Sequence, residues 1–142
     1  MRRLICSAVW LAIVLTVTPA PCKSSQKVAA FEIDRPTVIA FFPHDAKADG
    51  KNDDTNESLS YFQLYAASAQ RRLQNAAVDL QVIYARSFQI VLDAKVTTFR
   101  PPKAEPGYYF AMPGHKPRIE YGVMTDTDIV RIAREYFGSA MK

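Results

Sequence analysis

The run Thr37, Val38, Ile39, Ala40, Phe41, Phe42, closed by Pro43, constrains the fold more than any other stretch. A strand with one solvated face alternates polar and apolar residues. A continuous apolar run of this length is instead buried on both faces, the pattern expected when helices cover a sheet. The run therefore predicts a strand in the middle of a sheet.

Residues 1–22 read as a secretory signal and stand apart from the fold. Arg2 and Arg3 form a positive head, and 4–17 form an apolar segment too short for a membrane span, which Pro19 and Pro21 then break. Cleavage is expected near residues 21–24, with export to a periplasmic or secreted location. Cys22 invites lipidation, but Pro19 and Pro21 are the wrong small-residue context for that processing.

Setting the leader aside removes both cysteines, Cys6 and Cys22, from the domain. An oxidising compartment permits disulfides, yet 23–142 contains no thiol to form one. The domain must be held by its core, and about 120 residues can build one without covalent staples. The formal charge of +4 falls to +2 when Arg2 and Arg3 leave. That charge, with no basic stripe interleaved with aromatics, gives no argument for nucleic acid.

Residues 23–36 form a polar lead with a possible edge strand at 28–33, and 37–142 form the domain. After Pro43 comes the polar stretch 44–58, read as a solvated loop. Asp45, Asp49, Gly50 and Asp53 partly imitate a calcium loop, but Lys47 stands where an oxygen ligand is needed and Asn56 where a glutamate belongs. No metal or cofactor is expected. Leu59, Phe62, Ala66, Ala69, Leu73 and Ala76 recur at spacings of three and four, predicting a helix over 59–77 capped by Thr55 or Ser58. A second strand follows at 78–85, and strand, helix, strand at this spacing predicts a parallel βαβ unit. For 86–99 a helix or irregular connection is preferred over two extended segments at 88–92 and 95–99. Pro101 and Pro102 then force a loop. Strand-forming residues at 108–112 and 118–121 flank a Pro113-Gly114 turn and predict an antiparallel hairpin. A closing helix should start at a Thr125 cap, bury Ile129, Ile132, Ala133 and Tyr136, and stop at Gly138.

Taken from Thr37 to Gly138, this order resembles the thioredoxin-like domain family. The second half carries the likeness: Pro106 before an apolar strand, a glycine-containing turn, a second strand, then Gly122 ahead of the helix cap. The resemblance implies an α/β fold with a central mixed sheet of about four strands flanked by helices on both faces. It also implies a cis bond between Glu105 and Pro106. The chain departs from the family's redox members after Phe42, where no Cys-x-x-Cys occurs. Without a thiolate nucleophile, dithiol exchange is excluded.

In such folds the proline loop borders a groove for an extended peptide, and that groove does not need cysteine. The resemblance thus implies a binding or assembly factor for a protein or peptide partner, with His44, Asp45, Glu105, Pro106 and Gly107 along one edge. Pro106 also has a purely turn-forming reading, and His44 and His115 have readings as solvated loop residues. Two alternatives stand beside it: a structural or accessory envelope domain without a groove, and a hydrolase or transferase using His44 as a proton carrier. The sequence shows no nucleophile to serve the latter.

Overall fold

A computed structural model of the chain describes residues 28–43, 53–102 and 105–141. Residues 1–22, His44, and the calcium-like positions Asp45, Asp49 and Gly50 lie outside them. The described residues form a mixed α/β structure with two sheets and two α-helices. Its strands are β1 (Ala30–Ile33), β2 (Thr37–Phe42), β3 (Asp79–Tyr84), β4 (Phe88–Leu92), β5 (Lys95–Phe99), β6 (Gly107–Ala111) and β7 (Arg118–Tyr121). The helices are α1 (Asp53–Gln74) and α2 (Asp126–Phe137).

The larger sheet has the order β3-β2-β6-β7. As the apolar run requires, β2 lies inside it, parallel to β3 and antiparallel to β6, and all six of its residues are buried. Its one polar side chain is satisfied: the Thr37 hydroxyl donates to the Arg35 carbonyl at 2.9 Å. The β6–β7 hairpin pairs Tyr108 with Glu120 and Phe110 with Arg118.

Alternation along β2 and β6 divides the core in two. Val38, Ala40, Phe42, Tyr108 and Phe110 face α1 and α2, where Phe62, Leu73, Ile129 and Ala133 meet them. Ile39, Phe41, Tyr109 and Ala111 face the other way, toward Ile33, Phe88 and Ile90 of the smaller sheet. Both helices thus pack on one face, and the second face is covered by a three-stranded sheet of order β1-β4-β5. This corrects the expectation of helices on both faces. A strand buried on both sides demands two apolar layers but does not specify helices, and Phe31, Phe88, Phe99 and Tyr109 supply the second layer through edge-to-face and tilted ring contacts.

The connection over 86–99 is the second correction. It is the β4–β5 hairpin, in the register Phe88 to Phe99 and Leu92 to Lys95. Asp93 and Ala94 make its two-residue turn with φ of 51° and 61°, the doubly left-handed geometry that matches strand twist. The Asp93 carboxylate also accepts from the Gly114 N–H at 3.0 Å, joining this turn to that of β6–β7. The expected edge strand is present as β1, parallel to β4.

Helix α1 begins at Asp53, so Thr55 and Ser58 lie within it and do not cap it. The first turns carry polar residues only, which is why apolar spacing did not mark them. Its end is a Schellman motif: Ala77 has φ of 57°, Val78 N–H donates to the Leu73 carbonyl and Ala77 N–H to that of Gln74. Helix α2 starts as expected, with the Thr125 hydroxyl accepting from the Asp128 N–H at 3.2 Å and donating to its carboxylate at 2.8 Å. Gly138 follows its last residue. Among the described residues no helix is long and apolar enough to cross a membrane.

Candidate functional site

The carboxyl end of β2, the start of α1 and the two loops beside β6 and β7 converge at one edge of the larger sheet. There Phe42, Asp54, Thr55, Ser58, Pro106 and Val123 line an open cleft of about 460 Å³. Phe42, Pro106 and Val123 give it apolar walls, and the first turns of α1 give it hydroxyls and a carboxylate. Such a mixture suits a ligand with an apolar body and a few polar groups.

Each wall is fixed by a local cause. Phe42 packs on Phe62 of α1 with ring centroids 5.3 Å apart, and Phe62 in turn meets Tyr84 and Tyr108. Val123 sits between Gly122 and the α2 cap, and the Gly122 N–H donates to the Pro106 carbonyl at 2.7 Å. Just behind, the Tyr108 hydroxyl lies 3.5 Å from both the N–H and the carbonyl of Met124. Burial pushes this phenol up to about 12, against a weaker downward pull from the Met124 backbone. It stays a neutral hydroxyl across the physiological range.

Beyond the cleft the two helices are joined by charge. The Asp126 carboxylate, in the first turn of α2, accepts from the Ser68 hydroxyl at 2.8 Å and from Arg72 at 3.1 Å. The Ser68 hydrogen bond first, and Arg72 second, hold its carboxyl below the usual aspartate value. These bonds clamp α1 to α2.

The residues expected to form the site separate as follows. Pro106 is half-buried and lines the cleft, and Glu105 beside it is exposed. Gly107 is buried in β6 with a packing role: a Cβ there would meet the Glu120 carbonyl oxygen and come within 2.7 Å of the Phe41 ring. His44 and Asp45 lie outside the described residues. His115 is exposed in the β6–β7 turn, with Nδ1 3.1 Å from the Pro113 carbonyl oxygen. The described residues contain no cis peptide bond, so the Glu105–Pro106 bond is trans, against the expectation. The turn into β6 is achieved instead with Gly107 in close contact and the Pro106 carbonyl tied to Gly122.

Sequence reasoning missed Phe42, Asp54, Thr55, Ser58 and Val123 as cleft residues. Phe42 was legible only as core, and Ser58 only as a cap. Their shared signal is positional: each stands at the end or start of an element at the same sheet edge. Among the described residues no three His, Cys, Asp or Glu side chains are grouped to hold a metal. Compared with family models, curated proteins and solved structures, the chain matches none.

Proposed function

We propose that the chain is an exported, non-redox protein of thioredoxin-like architecture that binds an extended segment of a protein partner in the cleft beside Pro106. One observation carries this reading: Pro106, Phe42, Ser58 and Val123, from four separate parts of the chain, meet in one open cleft with apolar walls. The architecture is supported by one sheet uniting strand, helix and strand with the later proline, hairpin and helix. The trans Pro106 bond and the one-sided placement of the helices depart from that family's pattern. The functional reading therefore leans on the cleft and not on the isomer. Thiol exchange has no place in it, because 23–142 lacks cysteine.

Isotope-labelled protein titrated with a panel of extended peptides tests the reading. Binding in the cleft should move the amide signals of Ser58, Gly107 and Val123 together, and Ser58→Arg, which fills the cleft, should abolish the response. Shifts clustered elsewhere, or a response unchanged by Ser58→Arg, would reject it.

The accessory reading has one observation of its own. The Gly122 N–H donates to the Pro106 carbonyl, so the chain itself ties together the two loops at this place. If no peptide in the panel binds while the fold is intact, the accessory reading takes the place of the first.

A further inference from the structure

The cleft does not end at Ser58. Asp54, Ser58, Tyr61, Tyr65, Ser68 and Arg72 follow one another at spacings of four and three, which aligns them in one stripe along α1. The stripe begins in the cleft, at Asp54 and Ser58, and finishes where Ser68 and Arg72 hold Asp126 of α2. Between these ends the rings of Tyr61 and Tyr65 stack in parallel, with centroids 6.0 Å apart and planes 13° from each other. Tyr65 leans on the core, whereas Tyr61 is 46% exposed and its neighbour Leu64 60% exposed.

We infer that Tyr61 and Tyr65 form a ledge extending the cleft, and that it seats a lysine or arginine of an extended basic segment from a protein partner. The inference rests on the cleft reading above and specifies the chemistry of its ligand. Charge is the argument for a cation. Glu57 and Asp54 precede the tyrosines and are exposed, and the first basic residue of α1 is Arg71, beyond them. The ion pairs among the described residues involve neither acid. Acids at a helix start complement its dipole, and Glu57 also lies one helical turn before Tyr61, which makes a carboxylate and an aromatic face neighbours, the pairing that holds an ammonium or guanidinium.

Length sets the size of the ligand. From Asp54 to Tyr65 the helix rises about 17 Å at 1.5 Å per residue, a span that about five residues of extended chain would cover. The ligand is thus a short segment with an apolar or proline residue in the cleft and a basic one over the ledge.

The test uses the full chain and three capped pentapeptides, alike except for a central lysine, norleucine or glutamate two residues after a proline, so that both side chains face the same way. The lysine peptide should move the ring resonances of Tyr61 and Tyr65 together with the amides of Ser58 and Val123. Norleucine in place of lysine, or Tyr61→Ala in the protein, should weaken binding about two- to five-fold. Asp54→Asn with Glu57→Gln should reduce the preference for lysine over norleucine to the part the rings supply, and neither change removes a packed side chain. Shifts at Ser58, Gly107 and Val123 without movement of the tyrosine rings would overturn the ledge and leave the cleft reading standing. Equal binding of the glutamate peptide would also overturn it, as would tyrosine shifts that grow with protein concentration alone, the mark of a second copy on this face. No shift at either place would overturn both readings.

Discussion

The Gly122 nitrogen lies 2.7 Å from the Pro106 carbonyl oxygen to which its N–H donates, so the loop after β7 and the loop before β6 are joined in one wall of the cleft. Gly122 holds φ of +96°, and an added Cβ would meet nothing within 4 Å. Gly122→Ala should therefore cost conformational strain alone, about 1–2 kcal/mol, read as a lower urea midpoint. At Gly107 the same substitution meets the Glu120 carbonyl and the Phe41 ring, and overpacking of that kind costs about 1–3 kcal/mol or more. Gly107→Ala should be the more damaging of the two; the reverse order would show that the β6 contact relaxes easily.

The elements that local chemistry determines were legible in the sequence, and those that depend on a distant layer were not. Thr37 to Phe42 announced an interior strand because every position is apolar or β-branched. Thr125 announced a cap because its hydroxyl meets the N–H of a residue three positions on. What covers the second face of β2 depends on how Phe31, Phe88 and Phe99 meet Phe41 and Tyr109, and no window of sequence contains those contacts. The cleft is of the same kind: Phe42, Ser58, Pro106 and Val123 are far apart in the chain and join only through the sheet order. Pro106 was expected to follow a cis bond and follows a trans one, because the isomer depends on what its carbonyl and the next residue can pack against.

The β4–β5 hairpin was missed for a nearer reason, and the reason yields a prediction. A two-residue turn with both φ values positive favours glycine at its second position, and here that position is Ala94, with φ of 61°. The turn signal is absent from the sequence although the geometry is present. Ala94→Gly should remove the left-handed strain without losing a contact, since Ala94 is exposed. A gain of about 0.5–1 kcal/mol is expected, measured by thermal or urea unfolding. A loss would mean that the entropy glycine gains in the unfolded chain outweighs the relieved strain.

Acid should weaken the polar contacts of α2. Asp126 is held down by Ser68 and then Arg72, Asp128 by the Thr125 hydroxyl and then Arg131, and Glu135 by Arg131 and then Arg118. All three carboxyls thus titrate lower in the folded state than in the unfolded one, whose ordinary values are 3.8 for aspartate and 4.5 for glutamate. Their contribution is complete above those values and is lost as pH falls through the lowered ones, because the unfolded chain takes up protons first. Asp126→Asn should lower stability at neutral pH and shrink the difference between pH 7 and pH 2. Because these groups reach solvent, added salt should reduce the effect. Unfolding curves for the two proteins that stay parallel from pH 7 to pH 2 would assign the acid limb to other carboxylates.

At the alkaline end the sign reverses, and Tyr108 is the group to watch. Its phenol is pushed from 10.0 up to about 12 by burial, so the unfolded chain ionises first as pH rises. The stability that the neutral phenol contributes is whole below pH 10 and disappears as pH climbs toward about 12. One such proton gives a slope approaching about 1.4 kcal/mol per pH unit within that window. Tyr109 and Tyr136 are also raised, chiefly by burial, so an alkaline slope should persist in part without Tyr108. Tyr108→Phe keeps the ring against Phe62 and gives up only a hydroxyl whose two partners at Met124 are 3.5 Å away, a distance at which hydrogen bonds are weak. The variant should match the parent at pH 7 and lose stability less steeply between pH 10 and 12. Equal slopes in that range would show that the hydroxyl reaches water before the chain unfolds.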